Sequence, residues 1–395
     1  MSRMQEVTAN RKGPELSLVG IDSPRQPTRR HIGQLDGLRG LAIVFVMLFH
    51  MNMVPPVGKV ALFWARLCEH GGMGVDVFFV LSGFLITGIL LDALNGPHYF
   101  RNFYARRVLR IFPLYYAVLV FSFLILPRIA PWSVPRYEQV NREAIWYWLH
   151  LSNFAIARRG VFIHGILDVS WSLAIEEQFY LLWPAIAWFV SAPRLRSLCI
   201  ALVAISFASR TWLTAVHVAP VAVYTLTFCR LDGLAIGALV ALAVRDRSPS
   251  GIRTLMVRSL LATCPLAVVF LLPLHGRIAN AIDVGSGYLL VSALTGCTIL
   301  AVLSSPNALL VRPLRWKALR LFGRYSYALY LFHYPVSAAI RDFALKPSRM
   351  PLVLGSSLPS QGFFYLVVGS LSLGAAVLSW HLYEKRFLRW KRLFA

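Results

Sequence analysis

Residues 35–50 read LDGLRGLAIVFVMLFH. Every residue from Leu41 to Phe49 is apolar, and Asp36, Arg39 and His50 bracket that run. A span of about 20 apolar residues crosses a bilayer as a helix. Extended to residues 36–54, this stretch reaches that length before Pro55-Pro56, where the loss of backbone donors ends a helix. Ionisable groups inside such a span are costly to keep and so point to function. Arg39 and His50 are eleven positions apart, about three helical turns, so they share one face at roughly 16 Å along the axis. Asp36 stands where a helix N-terminus accepts a capping side chain.

The same pattern recurs along the chain. Apolar runs near 74–92, 108–126, 173–191, 197–217, 222–244, 257–274, 286–303, 325–342 and 362–383 are each of spanning length, although Arg230 and Asp232 interrupt the run at 222–244. The fold class this predicts is all-α integral membrane, a polytopic bundle of about ten transmembrane helices. Composition agrees. Of 395 residues, 57% are hydrophobic and 14% charged, against about 25% charged in soluble domains, and the mean hydropathy is +0.61. A chain this apolar cannot hide its surface in one water-soluble core, whereas a bilayer solvates that surface directly.

The net charge of +23 would suit a nucleic-acid binder, but the basic residues form short clusters between apolar runs rather than one stripe. That is the pattern of cytoplasmic loops, and nucleic acid is not expected as a partner. With ten spans alternating from a cytoplasmic N-terminus, the larger share of the 40 Lys and Arg residues falls on the inner side, which places both termini in the cytoplasm. Residues 1–34, rich in Arg, Pro, Ser and Gln, read as a disordered cytoplasmic tail without a signal peptide. Residues 35–386 form the membrane core, and 387–395 a basic cytoplasmic tail. The longest outer segment, 127–172, carries Trp146, Tyr147, Trp148 and His150, an aromatic run too short to span that should lie at the interface or re-enter. No internal repeat is apparent, which counts against an inverted-repeat transporter. The five cysteines contain no CxxC pair, so neither a disulfide framework nor a metal site is expected.

Four further stretches carry polar groups into the apolar runs. GVDVFFVLSGFLIT, residues 74–87, brings Asp76 to the level of His50 and adds Ser82 beside small residues that let helices approach. RRVLRIFPLYY, residues 106–116, carries Arg106, Arg107 and Arg110. Arg106 and Arg110 are i and i+4, neighbours on one face, and a guanidinium fork of that kind suits phosphate. The plainer reading is a positive-inside cluster. WSLAIEEQFYLLWP, residues 171–184, sends Glu176 and Glu177 into the membrane, about 100° apart around the helix. RYSYALYLFHYPV, residues 324–336, lines Tyr327, Tyr330 and Tyr334 along one face beside His333. Arg230 and Asp232 are placed to pair with each other. Each of these could be packing or anchoring. Together they draw a polar path, with arginines at the cytoplasmic end and a histidine with acids toward the outer end.

At these residues the chain resembles the membrane acyltransferase-3 family. Arg39 with His50, GVDVFFVLSGFLI, RRVLRIFPLYY, WSLAIEEQFYLLWP, RLDGLAIGA and YSYALYLFHYPV occur in the family's order over about residues 33–386. The resemblance implies a ten-helix core in a bacterial-type inner membrane that takes acyl-CoA, acetyl-CoA by default, as donor substrate, with no resident cofactor. It implies O-acylation of a carbohydrate or glycolipid acceptor, such as a cell-envelope glycan. It makes Arg39 and His50 essential, and it matches the family's arginine and glutamate motifs to Arg106, Arg107, Arg110, Glu176 and Glu177. The family's Glu-x-Pro ending becomes Glu384-Lys385-Arg386 here. The mechanism this leads to expect has the arginines holding the CoA phosphates and His50 acting as general base, with Glu176, Glu177 or Asp76 orienting it. Ser82, Arg230, Asp232, Tyr330 and His333 are further pocket candidates. The rival classes are a transporter or flippase of a charged glycolipid, and a sensor or scaffold without turnover.

Overall fold

A computed structural model describes residues 32–129, 142–162, 165–245, 247–271 and 277–394. The tail expected over 1–34 therefore lies outside the described residues up to position 31, and Gly33 already opens the first helix. In chain order the α-helices of five residues or more are α1 (Gly33–His50), α2 (Lys59–Glu69), α3 (Gly74–Ala93), α4 (Tyr99–Val120), α5 (Ala144–Trp148), α6 (Ser152–Arg159), α7 (Ser170–Phe189), α8 (Ala192–Ala215), α9 (Pro220–Thr225), α10 (Leu231–Val244), α11 (Pro249–Leu271), α12 (Arg277–Ser304), α13 (Lys317–Arg324), α14 (Ser326–Phe343), α15 (Leu358–Ser379) and α16 (Lys385–Arg389). Among the described residues there is no strand, only the isolated bridge between Val353 and Ser356.

The chain is a multi-pass, all-helical membrane protein. Among the described residues, six helical segments are long and apolar enough to cross a bilayer: Lys59–Ala93, Tyr99–Ile129, Ala192–Ala215, Pro249–Val268, Val284–Ser304 and Leu358–Phe394. The other four expected spans coincide with α1, α7, α10 and α14, which fall outside that set. The reason is chemical. α7 carries Glu176, Glu177 and Gln178, α14 carries His333, Arg341 and Asp342, α1 carries Asp36, Arg39 and His50, and α10 is only 14 residues long. Among the six, the segment that contains α3 is 78% buried within the protein, whereas Pro249–Val268 of α11 is 6% buried and turns its sides outward.

α3 is the central helix. Phe79, Val80, Leu81 and Leu90 on it are each at most 1% exposed. It packs most extensively on α10, and glycines make that contact possible. A Cβ on Gly83 would overlap the Leu234 carbonyl, and one on Gly237 would overlap the Val80 carbonyl. Gly369 of α15 has open space around it. Gly83→Ala must push two backbones apart. It is expected to lower the midpoint of thermal unfolding in detergent by roughly 5 °C, from an overpacking cost of about 1–3 kcal/mol. Gly369→Ala should leave it unchanged, and fluorescence-detected size exclusion after heating reads both.

Two turns widen to π-helical form, Phe121–Ile125 and Trp380–Glu384. The first precedes Pro127, which lacks an N–H and crowds the carbonyl four residues back. Within the expected outer segment 127–172, residues 142–162 form short helices around the aromatic run. Tyr147 and Ile156 are wholly buried, Tyr115 donates to the Tyr147 carbonyl at 2.8 Å, and Tyr116 donates to that of Trp148 at 3.1 Å. Gln178 of α7 ties the segment down through the His150 carbonyl and Asn153 Oδ1, at 3.1 and 2.9 Å. Burial alone would raise the Glu143 carboxyl, but Arg159 and Arg158 outweigh it and hold the group below its ordinary range. The π-helical turn after α15 carries Trp380 to the start of the arginine cluster, where it forms part of the site.

Candidate active site

α1 ends at His50, and α14 crosses beside it. His50 Nδ1 lies 2.9 Å from His333 Nε2, and His333 Nδ1 lies 2.9 Å from the Leu329 carbonyl oxygen. This chain assigns its own protons. A carbonyl oxygen only accepts, so His333 Nδ1 carries a hydrogen. With both rings neutral, His333 Nε2 is then the lone-pair nitrogen, and His50 Nδ1 must donate to it. The lone pair of His50 is left on Nε2. Tyr334 sets its ring edge-on to His50 at 5.2 Å, and Tyr330 flanks His333 at 5.8 Å. The relay runs from a helix carbonyl through one imidazole to a second, with its basic end free.

Arg39 lies three turns back along α1, lining a cavity of about 140 Å³ with Arg107 and Arg110 of α4. Ser82, Ser172, Glu176, Tyr180, Tyr327 and Tyr330 complete its polar wall. Arg107 lies 5.1 Å from the Tyr180 ring and Arg110 5.2 Å from the Trp380 ring, both in cation–π geometry. Tyr180 donates to Ser82 Oγ at 3.0 Å, and Ser82 donates to Glu176 Oε1 at 2.6 Å. Tyr330 and Ser172 share a hydrogen bond of 2.6 Å. Tyr330 stands one turn from His333 on α14, so the same helix lines the arginine cavity and supports the histidine pair.

The structure revises several of the expected roles. The side chain within hydrogen-bond distance of His50 is that of His333, rather than Glu176, Glu177 or Asp76. Glu176 is taken by Ser82 in the arginine cavity, and Glu177 lies within electrostatic reach of Glu176 and Arg107. Asp76 is bonded to Arg230 at 2.7 Å. Arg230 and Asp232 do not pair with each other, because Asp232 binds Arg210 at 2.7 Å. These two ion pairs are buried, with Arg230 surrounded by the rings of Tyr288, Tyr224, Phe79 and Trp171 at 4.2 to 5.8 Å. Arg106, expected in the fork with Arg110, is on the exposed side of α4. The residues brought together are Arg107 and Arg110, at i and i+3.

Ser172, Tyr180 and Trp380 were not singled out from the sequence. The first two had a readable signal, since Ser172, Glu176 and Tyr180 recur every fourth residue along α7 and so share its face. Trp380 had none, because a π-helical turn delivers it from the far end of the chain.

A family model described as an acyltransferase domain matches residues 32–382. The peptidoglycan O-acetyltransferase OatA of Listeria monocytogenes is 30% identical over 331 residues, which cover 78% of this chain and 50% of that protein. YrhL of Bacillus subtilis is 32% identical over 327 residues, covering 78% and 49%. The O-acetyltransferase OatA of Staphylococcus aureus is 29% identical over 340 residues, covering 80% and 52%. The chain thus spans about half the length of these relatives. No solved structure matches it. With the family match running from the residue before α1 into the π-helical turn that carries Trp380, the chain belongs to the acyltransferase-3 family of membrane proteins.

Proposed function

We propose that the chain is an O-acyltransferase of a bacterial inner membrane, built on ten spans with both termini in the cytoplasm. It moves an acetyl group from cytoplasmic acetyl-CoA to a hydroxyl of a cell-wall glycan. The observation that carries the reading is the proton arrangement at His50, whose Nε2 lone pair is held available by a relay ending on the Leu329 carbonyl. The names of the relatives, peptidoglycan O-acetyltransferases, support the acyl group and the acceptor class.

Arg107 and Arg110, with Arg39 beside them, bind the phosphates of the donor by charge-assisted hydrogen bonds. The acyl end of the donor enters the cavity, whose volume of about 140 Å³ suits a short acyl group better than a long chain. His50 Nε2 takes the proton of the acceptor hydroxyl as its oxygen attacks the thioester carbonyl carbon. The His50 imidazolium so formed keeps Nδ1–H on His333 Nε2. When the tetrahedral intermediate collapses, the carbon–sulfur bond breaks and the Nε2 proton passes to the leaving thiolate. The products are an O-acetyl ester and free CoA, and His50 returns to its starting form.

The test is donor binding and label release with radiolabelled acetyl-CoA on protein in nanodiscs. Arg107→Ala/Arg110→Ala should weaken donor binding by about 100-fold, the value of two charge-assisted hydrogen bonds. Arg106→Ala should change it less than about 3-fold. His50→Ala should bind donor normally and release no label. If Arg106→Ala is as damaging as the double variant, the cavity is not the donor site. If no CoA thioester binds at all, a transporter of a charged glycolipid becomes the better reading.

A further inference from the structure

α14 does not stop at the histidine pair. Beyond His333, Ser337 and Arg341 follow at i+4 and i+8, along one flank of the helix. Ser337 is wholly buried and donates to Met53 Sδ at 3.7 Å, and Met53 is three residues past His50. Met53 and Arg341 then line a second cavity, of about 520 Å³, with Asp342, Lys346, Pro347 and Ser348. The pocket is wide open to the surface, with Asp342, Lys346 and Ser348 exposed on its rim. It lies on the far side of the histidine pair from the arginine cavity, with Arg341 about 12 Å from His333 along the helix axis.

The lining has a specific chemistry. Arg341 meets the carboxylate of Asp342 side by side, Nε to Oδ1 at 2.7 Å and Nη2 to Oδ2 at 3.0 Å. Such a planar pair offers donors and acceptors in one plane, which matches the vicinal hydroxyls of a sugar ring. Lys346 adds a second cation against the single acid, so the cavity favours a saccharide that also carries a negative charge. Met53 forms the floor toward His50, and an unbranched thioether adapts to irregular ligand surfaces.

We infer that this cavity is the acceptor subsite and that it takes a carboxylate-bearing saccharide. One ring is held on Arg341 and Asp342 with its carboxylate on Lys346, while the chain extends past Met53 to present a hydroxyl to His50 Nε2. The inference rests on the acyltransferase reading for the last step but not for the binding step. It separates the two substrates onto opposite sides of the histidine pair, with the donor on the arginine side and the acceptor beyond α14.

The test has two arms on the full chain in nanodiscs. The first measures saccharide binding without donor, by saturation-transfer NMR. The probes are a soluble N-acetylglucosaminyl–N-acetylmuramic acid disaccharide and its uncharged counterpart, N,N′-diacetylchitobiose. The second measures acetyl transfer to the same disaccharide and, separately, donor hydrolysis. Arg341→Gln and Lys346→Gln should each weaken disaccharide binding and raise its KM by about 10-fold or more, corresponding to one charge-assisted hydrogen bond. Both should leave donor hydrolysis at the wild-type rate. Lys346→Gln should also abolish the preference for the charged saccharide. Unchanged binding and KM in both variants would overturn the subsite. Equal binding of charged and neutral saccharide by the wild type would overturn the anion preference. If saccharide binds and responds to the variants but no acetyl is transferred, the subsite stands and the acyltransferase reading fails instead.

Discussion

Replacing His333 by leucine should lower kcat for acetyl transfer by about 100-fold while leaving KM for acetyl-CoA unchanged. The size follows from what general-base catalysis contributes, about 10²–10⁴-fold, when the base is present but no longer oriented. In the wild type the Leu329 carbonyl sets the tautomer of His333, and His333 sets that of His50. Without the second ring, His50 is free to place its proton on Nε2 or to rotate, and its lone pair is no longer directed at one point. The arginines proposed to bind the donor, Arg107 and Arg110, line the separate cavity, so KM should not change. His333→Gln and His333→Asn separate orientation from packing. The glutamine carbonyl can stand near Nε2 and accept from His50 Nδ1, so activity should recover to within about 10-fold of the wild type. Asparagine is too short to reach His50 and should behave like leucine. If all three variants lose activity equally, or if all lose donor binding as well, His333 is a packing residue and the relay does not operate.

That relay also marks where sequence reading reaches its end. The motif residues were all visible, because an ionisable group in an apolar run is conspicuous at any position. Facing was legible within a helix too, since Arg39 and His50 on α1, or Ser172, Glu176 and Tyr180 on α7, follow from the 3.6-residue period. Partnership between helices was not. His50 and His333 are separated by 283 positions, and nothing in either helix says that they meet. The acids seemed better partners for an imidazole, but Asp76 is bonded to Arg230 and Glu176 to Ser82. Arg106 and Arg107 show a similar limit. Neighbours on a helix point about 100° apart, and the rotation of α4 about its axis, set by its packing partners, decides which of them enters the cavity. The span count is subject to a related ambiguity. Three of the helices that are least convincing as spans by composition, α1, α7 and α14, carry much of the site.

Asp76→Asn and Arg230→Met should each fail to give folded protein at wild-type yield, and the double variant should recover it. Arg230 is 1% exposed and Asp76 2%. Their contact joins α3 to the start of α10, with four aromatic rings around the guanidinium. Removing one partner strands the other as a buried, unpaired charge, at a cost of about 3–5 kcal/mol. Removing both replaces the pair with a neutral amide and an apolar side chain of similar length, which buried sites often tolerate. Monodispersity and yield by size exclusion measure the folding half of the claim. Acetyl transfer by the double variant measures the other half, because the two readings of Asp76 diverge there. If the pair only joins helices, the refolded double variant transfers acetyl within about 3-fold of the wild type. If Asp76 acts on the reacting groups, as its level beside His50 first implied, the double variant folds but loses transfer by about 100-fold or more. Arg210→Met is the control, since it breaks the neighbouring pair with Asp232 without touching Asp76. A loss of folding there with no rescue by Asp76→Asn would show that the two buried pairs are separate ties, one holding α10 to α3 and the other holding α10 to α8.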